Sequence, residues 1–263
     1  MTATYGDYQD QPGILYNQSL FAESAVQKQR LGTIRPTDDG RRFVYCQATA
    51  ASIAAGIIVS KAVAVQACTV AAADAVAAGA RKITLTLTGT PTLNLYRDGW
   101  AIITAGTGLG GMYKIKGNSV DDVPADSRCT FYLYDALEVA LTTAGQTFDV
   151  IVCPYDGVLI NPANSNYDGT GTGLETPLGV TTRTITASYY FWAQTRGLAA
   201  LMMDIDSAAG AEDNEKTVIC GTTQGRGGII HDTAIPGFFK VGELVITVDA
   251  TDAEAALVNL CIS

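Results

Sequence analysis

Apolar and polar residues alternate at period two through much of this 263-residue chain, which is the pattern of strands with one buried face. Ile83-Thr84-Leu85-Thr86-Leu87-Thr88 shows it most cleanly, and Gly89-Thr90-Pro91 closes the run as a turn. Trp100 to Thr104 predicts a second strand and Met112-Tyr113-Lys114-Ile115-Lys116 a third, which ends in a turn at Gly117. Further strands are expected over Cys129 to Tyr134 and over Phe148 to Cys153, the latter stopped by Pro154. Beyond them, Thr182 to Ala187, Tyr189 to Leu201, Val218 to Cys220, Gly228 to Ile230, Glu243 to Val248 and Ala255 to Ile262 continue the series, with Gly-rich turns between them. Many short strands at modest spacing predict a mainly β protein, built from short antiparallel strands in one or two small barrel or sandwich domains.

Three places resist this pattern. Phe43 to Ala80 mixes Ala, which favours helix, with Ile57-Ile58-Val59 and Ala62-Val63-Ala64-Val65, which favour strands. Gly56, Gly79 and the β-branched runs tilt the reading to short strands, with one helical turn near Ala71 to Ala78. Asp135 to Leu141 fits either a helical turn or an extended connection, and Ser19 to Arg30 has room for a short helix. The expected organisation is an extended N-terminal arm over residues 1–42, a β domain over 43–160, a loop or linker rich in Gly, Asn and Pro over 161–180, and a small C-terminal β domain over 181–263. The arm carries Tyr5, Tyr8, Ile14, Leu15, Tyr16, Leu20 and Phe21 without a sustained period. Such residues bury themselves on something else: the chain's own body, a neighbouring copy or another protein.

Charge narrows the partners. A formal net charge of −9 argues against nucleic acid, since neutralising phosphates needs a clustered excess of Lys and Arg. The charges are also uneven. Lys28, Arg30, Arg35, Arg41 and Arg42 gather near the N-terminus, whereas Asp204, Asp206, Glu212, Asp213 and Glu215 form an acidic cluster. The first residues lack the basic start and apolar run of a signal peptide. The longest apolar region, Ala48 to Ala80, is interrupted by Lys61, Gln66 and Asp74, so no membrane span is expected and the chain reads as soluble. Its six cysteines, Cys46, Cys68, Cys129, Cys153, Cys220 and Cys261, contain no C-x-x-C pair, and several sit among apolar residues, as expected of reduced core thiols rather than zinc ligands.

Candidate chemistry is sparse. Gly106-Thr107-Gly108-Leu109-Gly110-Gly111 matches the dinucleotide fingerprint in letters, but that motif requires a helix after the glycines, and here a strand follows. The single histidine, His231, has Asp232 beside it, and neighbours on a strand face opposite ways. Asp204, Asp206 and Glu215 fall at positions 1, 3 and 12 of a calcium loop, yet Ala208 and Ala209 replace a ligand and the turn glycine. A carboxylate pair for glycoside hydrolysis is a matter of spatial placement, and nothing in the sequence singles one out. The expectation is a non-enzyme with no catalytic residue, no cofactor and no metal.

Four segments carry a resemblance. Trp100 to Asn118, Leu31 to Val44, Tyr189 to Leu201 and the region of Val241-Gly242-Glu243 resemble segments of virion structural proteins of tailed bacteriophages, most like capsid decoration (cement) proteins. In those proteins a Tyr-Tyr-x-Trp-x-Gln-x-Arg-Gly element, matched here by Tyr189 to Gly197, opens a small C-terminal β domain. The resemblance implies a protein assembled in the host cytoplasm that decorates and stabilises the capsid exterior. Its partners would be the major capsid protein and neighbouring copies of itself, a trimer by analogy with the local symmetry of capsids, with no nucleic acid and no membrane. Leu15, Tyr16 and Phe21 are the expected apolar contacts, and Arg30, Arg35 and Arg42 the expected ion-pairing residues. The competing reading is a tail or fibre component that binds host glycans through Tyr189, Tyr190 and Trp192, residues that would otherwise be buried in the β core.

Overall fold

The computed structural model describes residues 16–61, 65–70, 75–87, 89–123, 128–142, 146–161, 176–204, 217–221, 223–229, 239–246 and 254–262. Among these residues there are sixteen strands and no helix, so the chain is mainly β as its alternation predicts. In chain order the strands are β1 (Ile34–Pro36), β2 (Arg42–Gln47), β3 (Ile58–Ser60), β4 (Val65–Thr69), β5 (Lys82–Leu87), β6 (Trp100–Ala105), β7 (Met112–Val123) and β8 (Arg128–Leu133). They continue as β9 (Thr147–Ile151), β10 (Leu159–Ile160), β11 (Pro177–Thr181), β12 (Tyr190–Met202), β13 (Thr217–Cys220), β14 (Gly227–Ile229), β15 (Lys240–Ile246) and β16 (Ala255–Cys261). No helix among the described residues is long and apolar enough to cross a membrane.

Two compact units divide the chain, and they are nested rather than sequential. Val63–Pro154 forms one, while Met1–Ala62 and Tyr155–Ser263 together form the other. The expected boundaries at 42/43 and 160/161 therefore both fall inside the discontinuous unit. In that unit Lys61 Nζ lies 5.9 Å from the Tyr155 ring, so the chain leaves and re-enters at one place, the usual geometry of a tolerated insertion.

The inserted unit is a closed antiparallel barrel in the order β4-β5-β8-β7-β6-β9. Alternation aims Ile83 and Leu85 of β5 inward, where they meet Ile103, Ile115, Phe131 and Phe148. Burial of each such side chain contributes about 1.5–3 kcal/mol. The connection after β8 is extended, and it places Leu137 and Leu141 in the same core through Leu137 N to Ala80 O (2.8 Å) and Leu141 N to Val76 O (2.8 Å). The turn expected at Gly117 is instead an irregularity within the long β7, whose register shifts on both sides of Gly117-Asn118. Asn118 is the reason. Its buried amide donates to Thr92 O (3.0 Å) and accepts from Tyr96 N (2.8 Å), which ties the 89–99 loop to the strand. Gly117 permits that approach, because a Cβ there would stand 2.6 Å from Asn94 Oδ1.

The discontinuous unit is a ten-stranded antiparallel sheet in the order β10-β3-β11-β12-β16-β15-β13-β14, with β2 paired to β12 and β1 to β2. β11 is buried along its whole length, so the end of the expected linker, residues 177–180, is a core strand. Its backbone pairs with both β3 and β12, which outweighs the turn-rich composition before it. Thr182 to Ala187, expected as a strand, makes only the isolated bridge of Ile185 to Ile53. The expected helix over Ser19 to Arg30 is absent, because Ser24 pairs with Tyr190 instead of with its own helical turn.

All six cysteines are free; five are buried and Cys261 is exposed. Burial pushes the Cys68 thiol up to about 12, which outweighs a backbone hydrogen bond from Val150, so this thiol stays protonated across the working range. In the folded protein at about pH 8, Ellman's reagent is expected to find one fast thiol, Cys261. The Cys261→Ser variant should show none until denaturant is added, and a fast reaction there would place a buried cysteine at the surface.

Candidate functional site

The two faces of the β1-β2-β12 region carry opposite chemistry, set by alternation along the strands. Paired positions put Arg35, Phe43, Tyr45 and Trp192 on one face and Ile34, Val44 and Ala193 on the other.

On the first face, Gln18 organises the segment that enters the sheet. Its backbone carbonyl accepts from Arg35 Nη1 (2.8 Å) and from Trp192 Nε1 (3.2 Å). Its side chain accepts from the Tyr45 hydroxyl (2.7 Å) and donates to Ala22 O (2.8 Å) and Tyr190 O (3.0 Å). Arg35 is 1% exposed, and its guanidinium lies 4.6 Å from the Tyr16 ring centre and 5.7 Å from that of Trp192. Tyr16 meets Trp192 edge-on, and Tyr45 packs on both Trp192 and Tyr190. Burial raises the Tyr45 hydroxyl above its ordinary value, against the lowering effect of hydrogen bonds from the Lys28 and Gln29 backbone, so it stays a neutral donor. Downstream, Arg183 Nη1 donates to Phe21 O (2.8 Å), and the Glu23 carboxylate accepts from Thr186 N (2.7 Å) and its hydroxyl (2.9 Å). The described part of the expected arm is thus built into the unit's own sheet.

The predicted contact residues divide accordingly. Arg35 and Tyr16 are engaged inside the chain, which corrects the expectation that they face a partner; a buried guanidinium needs hydrogen bonds and aromatic faces, and this cluster supplies both. Phe21 is 53% exposed, and Arg30 and Arg42 are exposed. Leu15 lies outside the described residues.

On the opposite face, a cleft of about 260 Å³ is lined by Arg42, Lys61 and Arg196 together with Ile34, Tyr155 and Leu178. Arg42 and Arg196 stand at paired positions of β2 and β12, a like-charge juxtaposition that disfavours the pairing. Neither arginine nor Lys61 has an ion-pair partner among the described residues. The preceding Arg41 differs, since its Nε lies 2.7 Å from Asp39 Oδ2. Slight burial raises the Asp39 carboxyl, but hydrogen bonds from Thr37 and Arg41 outweigh it and hold the group below its usual value. Sequence reading found Arg42 by its place in a basic cluster, yet it missed Lys61 and Arg196, which come from distant segments and meet only through sheet pairing.

The remaining candidates resolve simply. The glycines of 106–111 join β6 to β7, with Gly106, Gly108 and Gly110 at φ near +85° (87°, 83° and 86°), and no helix follows them. Asp204 is buried and its Oδ2 accepts from Thr223 N (2.9 Å), so it holds the 221–226 turn; Asp206, Glu215, His231 and Asp232 lie outside the described residues. Trp192 is 1% exposed, so it offers no face for stacking on a sugar. No protein-family model, curated protein or solved structure matches the chain.

The chain's two tryptophans, Trp100 and Trp192, fall one in each unit, which makes the cluster measurable. In a Trp100→Phe background, Arg35→Ala is expected to destabilise the Trp192-reporting transition by about 3 kcal/mol, with Arg35→Lys recovering only part of that. Urea unfolding followed by Trp192 fluorescence reads it; an unchanged midpoint would show the cluster to be incidental.

Proposed function

We propose that the protein is a virion structural protein that decorates and stabilises the outside of a phage capsid through the major capsid protein. The observation that carries the reading is the firmly seated root of the N-terminal arm. Gln18 and Arg35 fix residues 16–36 to the sheet, and the sequence just before them holds Ile14 and Leu15, large apolar residues suited to a protein partner. A well-held root means that the energy gained by an outer segment on a partner is transmitted to the whole body. The acidic balance of −9 suits an exterior position, because the capsid interior faces DNA. Three of the segments that resemble decoration proteins fall on structural elements: Leu31 to Val44 contains β1 and the start of β2, Trp100 to Asn118 contains β6 and the first part of β7, and Tyr189 to Leu201 is nearly all of β12. The glycan-binding alternative loses its main side chain with the burial of Trp192.

Immunogold labelling of purified particles with antibody to this chain is expected to mark the icosahedral head. Label confined to tails would overturn the reading. Phe21→Asp should lower binding to the head without changing the Trp192 unfolding transition, since Phe21 is exposed and its carbonyl, not its ring, is engaged by Arg183.

A further inference from the structure

We propose that the cleft of Arg42, Lys61 and Arg196 is the docking site for the acidic, tyrosine-bearing stretch Tyr5–Asp10 of a second copy of this chain. The proposal rests on the reading of the N-terminal residues as an arm, and it holds whether or not the capsid is the body decorated.

Three observations carry it. The first is the chemistry of the cleft. Three cations without ion-pair partners among the described residues line apolar walls made by Ile34, Val44 and Leu178, beside the Tyr155 ring. Two of them oppose each other across β2 and β12, where sheet pairing alone favours anything but like charges. Such a site takes an occupant that brings carboxylates together with large apolar groups. Nucleic acid offers phosphates instead of carboxylates and is repelled by the chain's −9 charge. The volume of about 260 Å³ is below the usual range for small-molecule sites, about 300–1,000 Å³, and suits the side chains of a peptide better than a whole cofactor.

The second observation is the complement on the same chain. Tyr5-Gly6-Asp7-Tyr8-Gln9-Asp10 supplies two carboxylates and two aromatic rings within six residues and carries no Lys or Arg. The third is where this sequence joins the body. Tyr16 packs on the Arg35 face, while the cleft lies on the opposite face of the same strands. The Tyr16 hydroxyl donates to Ile34 O (3.2 Å), a carbonyl of β1, which pairs with β2 alone and so forms an edge of the sheet. A copy's own cleft therefore lies on the far face of the sheet from its arm root, across that edge strand, and the cleft assigned to the segment is a neighbour's. Each copy thus offers one segment and one cleft. That is a heterologous contact, which closes into a ring when copies are related by rotation.

The test is photocross-linking of the full chain with p-benzoylphenylalanine at position 8 in place of Tyr8. Irradiation is expected to give a covalent dimer whose cross-linked peptides contain Ile34, Val44 or Leu178. The Arg42→Glu/Arg196→Glu variant should lose that dimer. Mixing it with a chain carrying Asp7→Lys/Asp10→Lys and the photoprobe should restore a cross-link between the two, which a variant that had merely failed to fold could not do. Cross-links confined to single copies, dimer cross-links mapping away from the cleft, or a charge swap without recovery would each overturn the proposal. Because the assay contains no capsid, its failure is distinct from a failure of the head-labelling experiment.

Discussion

A single buried guanidinium governs how the N-terminal part of this chain is held. Removing a charge from water costs several kcal/mol even after relaxation, so Arg35 is tolerable only where hydrogen bonds and aromatic faces surround it. They come from two separate stretches of sequence: Tyr16 and the Gln18 carbonyl on one side, Trp192 on the other. Neither stretch can leave without stranding the charge. Segment 16–24, which has no helix and one bridge to the sheet, is thereby tied to it chiefly through side chains.

The same dependence explains the length of β12. Thirteen residues is long for a strand, and this one serves two sets of partners, pairing with β2 through Tyr190 to Arg196 and with β11 at Ala193 and Gln194, and with β16 from Arg196 onward. The change of partner needs a bend. Gly197 supplies it with φ of +81°, a conformation that side chains strain to adopt, and a Cβ there would meet Arg41 Cγ at 2.9 Å. Gln194 spans the irregularity by donating to Arg196 O (3.1 Å) and Leu198 O (2.8 Å). Tyr190, Trp192, Gln194 and Gly197 of the Tyr-Tyr-x-Trp-x-Gln-x-Arg-Gly element thus each have an internal task. Arg196 is the exception, because the register shift that Gln194 bridges sets it opposite Arg42 at the cleft.

What could be read from sequence follows from how local each cause is. Ile83 to Leu87 and Ala255 to Cys261 announce themselves because alternation is a property of neighbours, and each has one buried and one solvated face. β11 does not, because Pro177-Leu178-Gly179-Val180-Thr181 is buried on both faces and shows no alternation. Gly117 reads as a turn because what requires a glycine there, the close approach of Asn94 from a separate loop, is remote in sequence. The nested units were hidden for the same reason: no composition shift marks Ala62 or Pro154, and only pairing of β3 with β10 and β11 reveals that the chain returns. Arg35 and Arg42 looked alike as members of one basic cluster, yet they lie seven positions apart on different strands and face opposite ways.

That opposition is the most informative feature of the unit. Arg35 is surrounded by a carbonyl and two aromatic rings, whereas Arg42, Lys61 and Arg196 have no ion-pair partner among the described residues. Asp39 lies close in sequence and is committed to Arg41. Replacing Arg196 by a neutral residue would relieve the like-charge pairing across β2 and β12 at no cost to the buried core, since its side chain is exposed. Arg196 is therefore a charge that burdens the β2–β12 pairing and meets no ion-pair partner among the described residues. One face of these strands thus uses its arginine to hold residues 16–24, while the other leaves Arg42 and Arg196 opposed without a counter-charge among the described residues.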